Sequence, residues 1–110
     1  MIFGYVDAQI ADVKIEGNRA KVYNENAKFT GYFVNLCAKC ELSGYNNKYI
    51  VVTNGNRAKI YDSKGRFTGY FVNLHSGAYV KNVTASAILI VEGGRTKFYD
   101  FKGRYTGKSS

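Results

Sequence analysis

The 110-residue chain has no proline, no tryptophan, one histidine and two cysteines. Cys37 and Cys40 are too few for the disulfide framework of a small secreted domain, which agrees with a reducing compartment. Long apolar runs are missing as well. Asp7 and Asp12 interrupt the opening "MIFGYVDAQIADVK", which has no basic n-region. Neither a signal peptide nor a membrane span is therefore expected, and cytoplasmic placement without membrane association follows. No Gly-rich phosphate loop opens a helix, and no Gly-x-Ser-x-Gly elbow is present. With one histidine and eight carboxylates, most of them in turns, a general acid/base pair is hard to assemble. Asp62 and Asp100 look paired only because they recur, and a turn role accounts for both. The expectation is a protein that is not an enzyme and uses no cofactor.

What the chain does have is tyrosine (10), phenylalanine (7) and glycine (12) alongside valine and isoleucine. Aromatic and β-branched residues punctuated by Gly and Asn predict strands joined by tight turns, hence an all-β protein. Its length fits one domain, residues 1–110. Hydrophobic residues at 45% and charged residues at 22% are globular values. Sixteen Lys and Arg against eight Asp and Glu leave a net charge of +8, which favours anionic partners or serves solubility alone.

The dominant feature is internal repetition. Gly17-Asn18-Arg19-Ala20, Gly55-Asn56-Arg57-Ala58 and Gly93-Gly94-Arg95-Thr96 are successively offset by 38 residues, and residues 17–36 match 55–74 at 14 of 20 positions. Each copy reads as an antiparallel meander. An apolar strand (Val13 to Ile15, Ile50 to Thr53, Ile88 to Val91) enters a Gly/Asn turn, and a second strand ends in Tyr-Asp or Tyr-Asn. A further turn, Asp62-Ser63-Lys64-Gly65 or Asp100-Phe101-Lys102-Gly103, places Asp to accept from the turn backbone and Gly to take positive φ. Copy one has Ala27 in place of that Gly, which predicts a turn shifted to Asn26. The third strand, "FTGYFVNL", is apolar on both faces and is expected to be covered on both. The units fall at about 13–50, 51–88 and 89–110 completed by 1–12, with the terminal segments pairing to close the sheet. Pseudo-three-fold symmetry then suits a propeller-like or flower-like ring, with a β-trefoil-like barrel as the alternative. A ring of this kind, typically ~4 to 8 blades, predicts a homo-oligomer, with a dimer favoured.

"IYDSKGRFTG" and "FYDFKGRYTG" resemble the Tyr-Asp-x-x-Gly-Arg signature of YD (Rhs-type) hairpin repeats and the hairpins of small bacterial β-flower proteins. The resemblance covers about ten residues per copy, and copy one departs from it at Asn24, Ala27 and Lys28. It implies a β-hairpin unit and brings no catalytic residues.

Alternation along the second strand puts Arg19, Lys21 and Tyr23 on one face, matched by Arg57, Lys59, Tyr61 and by Arg95, Lys97, Tyr99. Ala20, Val22, Ala58, Ile60, Thr96 and Phe98 take the opposite face and are expected in the core. Cations beside aromatic rings are the ingredients of sequence-tolerant nucleic-acid binding, and the same stripe on a plain strand would only keep it solvated. Aromatic pockets between copies would instead suit a sugar or other small ligand. Cys37-x-x-Cys40, with His75 at the position equivalent to Cys37, offers three soft ligands, one short of a structural zinc site. The simpler reading of the cysteines is two small residues at a strand end. Segments 37–48 and 75–87, which share almost nothing, are where individual function is expected to be written.

Overall fold

A computed structural model describes residues 9–110; the closing strand expected within residues 1–8 lies outside the described segment. The described residues form eleven strands and no helix: β1 Asp12–Glu16, β2 Arg19–Tyr23, β3 Phe29–Asn35, β4 Cys40–Tyr45, β5 Tyr49–Asn54, β6 Arg57–Asp62, β7 Phe67–Asn73, β8 Tyr79–Val83, β9 Ile88–Glu92, β10 Arg95–Tyr99 and β11 Tyr105–Ser109. Among the described residues no helix is long and apolar enough to cross a membrane. All pairing is antiparallel, in three separate open sheets ordered β1-β2-β3, β4-β5-β6-β7 and β11-β10-β9-β8. β4 and β8 lie inside the divergent segments, where sequence comparison had found no shared strand. Each opens its sheet, and they approach one another so closely that a Cβ on Gly44 would stand 2.6 Å from Val83 Cγ2.

The apolar alternation of the central strands decides how the sheets pack. Val13 pairs with Val22 and Ile15 with Ala20, while Asp12, Lys14 and Glu16 pair with Tyr23, Lys21 and Arg19 on the other face. Val13, Ala20, Val22 and Val34 of the first sheet meet Ile50 and Val52 of the second in one buried cluster. From the opposite face of the second sheet, Val51, Ala58, Ile60 and Val72 meet Val83, Ile88 and Ile90 of the third. Two apolar layers thus hold three sheets in sequence order, and only the middle sheet is apolar on both faces. Ala20, Val22, Ala58 and Ile60 are wholly buried as expected, whereas Thr96 and Phe98 are only half-buried because no further sheet among the described residues covers theirs.

The outer strands differ from expectation. β3 and β7 are exposed along most of their length, with only Val34 and Val72 buried. The cause is a bulge. Lys21 pairs with Phe33 but Tyr23 with Phe29, so four residues of β3 span two of β2, and β6–β7 and β10–β11 shift in the same way. Gly31, Gly69 and Gly107 take φ of 92°, 92° and 94° at this point. The preceding threonines bind the kink: Thr30 donates to the Val22 carbonyl (3.0 Å), Thr68 to Ile60 (2.7 Å) and Thr106 to Phe98 (2.9 Å). Alternation is therefore broken inside the strand, and Phe29 and Phe33 both come to lie beside Lys21.

The turn between the second and third strands of each copy keeps one geometry. Asp62 Oδ1 accepts from the Lys64 and Arg66 amides and its Oδ2 from Arg66 Nε; Asp100 does the same for Lys102 and Arg104. Asn24 Oδ1 accepts from the Asn26 and Lys28 amides. The expected shift to Asn26 does not occur: Ala27 itself takes φ 62°. Its methyl group has room because Ala27 is exposed. Gly65 has none, since a Cβ there would stand 2.2 Å from the carbonyl oxygen of Phe33 in the preceding sheet. Gly103 meets the Phe71 carbonyl in the same way, at 2.3 Å. The glycine of Asp-x-x-Gly thus serves the contact between sheets as well as the turn.

Candidate functional site

The cationic side chains of the second strands lie over the rings of the third. Arg19 sits 4.3 Å from the Phe33 ring and Arg57 4.6 Å from Phe71. Lys21 lies over Phe29 (5.2 Å), Lys59 over Phe67 (5.5 Å) and Lys97 over Tyr105 (5.8 Å). The tyrosines of the stripes complete each ledge from the side, Tyr23 against Phe29, Tyr61 against Phe67 and Tyr99 against Tyr105, with ring centroids 5.8, 5.5 and 5.6 Å apart. Each ledge is built by cross-strand neighbours, with the bulge setting Phe29 opposite Tyr23, Phe67 opposite Tyr61 and Tyr105 opposite Tyr99. Arg95 has no ring beneath it among the described residues, because Ser109 stands where the other copies carry Phe33 and Phe71.

The ledges differ in charge. Glu16 binds Lys21 Nζ at 3.0 Å and accepts from the Tyr23 hydroxyl at 2.7 Å. The Tyr23 hydrogen bond, then Lys21, holds the Glu16 carboxyl below its ordinary value, and the same bond raises Tyr23. Glu92 likewise binds Lys97 at 3.0 Å, raising the lysine, and lies 3.8 Å from His75 Nε2. In the second copy Asn54 replaces these glutamates. Arg57 and Lys59 accordingly have no carboxylate partner among the described residues. Sequence inspection grouped the three stripes as equals; the substitution at position 54 was visible but its partner was not.

The nine predicted residues lie on β2, β6 and β10, one strand in each of the three sheets. Tyr61 and Tyr99 pack against the two buried layers, and burial pushes the Tyr61 hydroxyl up. Arg19, Arg57 and Arg95 are exposed, while Lys21, Lys59 and Lys97 are half-buried over their rings. The soft-ligand trio does not assemble. Cys37 and Cys40 are joined in a disulfide across the β3–β4 turn, where the Cys40 amide donates to the Cys37 carbonyl. His75 borders a different depression, formed with Gly55, Asn56 and Leu74. No cluster of three metal-binding side chains exists among the described residues. The cysteines are therefore a covalent staple, not two unlinked small residues.

Comparison of the chain with protein-family models, curated proteins and solved structures finds no match.

Proposed function

We propose that the protein is a non-enzymatic binding module whose cation–aromatic ledges contact an anionic partner such as a single-stranded nucleic acid. The observation that carries this reading is the second ledge, where Arg57 and Lys59 lie over Phe71 and Phe67 with no carboxylate partner among the described residues. Cations held against exposed rings, with no carboxylate partner among the described residues, offer phosphate contacts, and a net charge of +8 steers polyanions toward them. On this reading the three sheets are units of one repeat array with hairpins of the YD type. A sugar-binding alternative would use Phe29, Phe67 and Tyr105, which are 44–46% exposed. Each of these rings already carries a lysine over its face, which favours the anionic ligand.

The test is binding of mixed-sequence single-stranded DNA across a salt series. Affinity should fall as salt rises, and an Arg57→Ala/Lys59→Ala variant should flatten the log–log slope by about 1.4, at ~0.7 per lost phosphate contact. Binding that is absent at low salt, or is unchanged by the double variant, would refute the proposal; hits on a glycan array without DNA binding would favour the alternative. Homodimerisation, expected from the sequence, is read out by solution mass. Cytoplasmic placement is likewise a proposal, against which the Cys37–Cys40 disulfide weighs, since such bonds persist in oxidising compartments.

A further inference from the structure

The two ends of the sheet series are chemically unlike. The outward face of the first sheet carries Asp12, Lys14 and Glu16 paired with Tyr23, Lys21 and Arg19. At the positions of Asp12 and Lys14, 38 residues apart in sequence, the second sheet has Ile50 and Val52 and the third Ile88 and Ile90, all four buried against the preceding sheet. The first sheet also has Ala27 where the others have Gly65 and Gly103. Its outward face is thus built without either element of a joint, the apolar pair or the glycine turn.

The outward face of the third sheet is the reverse. Thr96 pairs with Val91 and Phe98 with Leu89, corresponding in register to Ala58–Thr53 and Ile60–Val51 of the second sheet. Ala58, Ile60 and Val51 are sealed under the third sheet at 0% exposure, but Leu89, Val91, Thr96 and Phe98 are only half-buried, and β11 is exposed throughout. This is the surface that the first and second sheets each use to receive the next one, and no sheet among the described residues packs on it.

We infer that the outward face of the third sheet is a docking surface for one further meander sheet of the second copy's type. Such a sheet carries an apolar pair at the Ile50 and Val52 positions and glycine at the Gly65 position. Leu89 and Phe98 would meet the apolar pair, and the backbone of β11 near Ser109 would receive the glycine turn as Phe33 and Phe71 do. The two internal joints of the chain are the templates for the contact. A second copy of this chain does not fit head to tail. Its Lys14 and its Asp12, which among the described residues accepts only from the Tyr45 hydroxyl (3.0 Å) and the Val13 amide, would lose water against Phe98, and the Ala27 methyl group would be driven into a backbone carbonyl. Head-to-tail polymerisation of the unmodified chain is therefore disfavoured. This inference is independent of anion binding by the ledges.

The experiment uses the protein as its own probe. A copy with Asp12→Ile, Lys14→Val and Ala27→Gly has the second copy's residues on its first sheet; Phe98→Glu, added to the same copy, stops it from polymerising. Mixed with the unmodified chain in sedimentation velocity, this probe should form a 1:1 complex at least about tenfold tighter than that formed by a copy carrying Phe98→Glu alone. Phe98→Glu in the receiving chain should abolish the complex. A folded probe, judged by circular dichroism, that forms no complex overturns the docking surface. Equal association by the Phe98→Glu copy overturns the role of Asp12, Lys14 and Ala27. Should the probe not fold, Ala27→Gly/Phe98→Glu takes its place under the same criterion, and association no tighter than Phe98→Glu alone overturns the inference.

Discussion

Replacing Gly65 with alanine probes the contact between the first two sheets directly. Its φ of 76° is a left-handed conformation, which costs an L-residue about 1–2 kcal/mol. The added Cβ would also stand 2.2 Å from the Phe33 carbonyl oxygen and 2.9 Å from its carbon. Backbone atoms cannot rotate aside as a side chain does, so the sheets must separate, at the ~1–3 kcal/mol typical of overpacking. The sum is a destabilisation of about 2–5 kcal/mol. Two controls separate the terms. Gly69→Ala has φ 92° with nothing within 4 Å of the new Cβ, so it reports the conformational cost alone. Ala27→Gly removes that cost from an uncontacted turn, against ~0.4–1 kcal/mol of added unfolded-state freedom, and should be neutral to stabilising by up to about 1 kcal/mol. Urea unfolding followed by far-ultraviolet circular dichroism gives all three values. The reasoning fails if Gly65→Ala lies no lower than Gly69→Ala, or if Ala27→Gly destabilises.

Three further outcomes are expected. The Asp100 carboxyl is held below its ordinary value chiefly by the Arg104 amide, with the Lys102 amide and Arg104 side chain adding to it. A depressed carboxylate contributes stability that is present above its unfolded value and lost as pH falls through the folded one. Stability should therefore drop on acidification below the usual carboxylate range, and Asp100→Asn should flatten that part of an acid titration followed by circular dichroism. Reducing the Cys37–Cys40 disulfide, or replacing both residues by serine, opens a loop with a sequence separation of only 3. Chain entropy then predicts a loss of about 2 kcal/mol without loss of the fold, measurable by urea unfolding with and without reductant. Phe101 stacks on Tyr49 across the second joint, with centroids 4.7 Å apart and planes within 11°. Phe101→Ala should cost about 2–3 kcal/mol by urea unfolding, toward the low end for aromatic truncation because the ring is only partly buried, whereas Ser63→Ala at the matching turn should cost under about 0.5 kcal/mol.

Much of the strand framework was legible because it rests on period-two alternation. Val13 to Ile15, Ile50 to Thr53 and Ile88 to Val91 all lie within observed strands, and Ala20, Val22, Ala58 and Ile60 are buried. The turn role of Asp62 and Asp100 was readable too, since a side-chain carboxylate reaches amides two and four residues on. What depends on the neighbouring sheet was not. Sequence assigns Ala27 a penalty for positive φ but cannot show the open space that makes it tolerable. Thr96 and Phe98 carry the same pattern as Ala58 and Ile60 and differ in that no further sheet among the described residues packs on them. The bulge after Thr30 escaped detection because Gly31 was read as one more residue in an alternating strand. β4 and β8 share no residues because what they have in common is a close approach, Gly44 beside Val83, which needs one small and one larger side chain and no particular motif. In the ledges the cations were visible, but which of them a glutamate neutralises became plain only when Glu16, Asn54 and Glu92 were placed beside them.

The bulges have a consequence for how this protein behaves when concentrated. β3, β7 and β11 each end a sheet, and β3 and β7 share one sequence, "FTGYFVN", that is rich in aromatic and β-branched residues. A flat strand of that composition would present an unbroken row of amides and carbonyls on which another chain could template cross-β growth. The kink at Thr30-Gly31 and its counterparts interrupts that row near its middle. Filling Gly31, Gly69 and Gly107 with β-branched residues would remove the interruption, and the edges it now protects would become nucleation sites for fibrils.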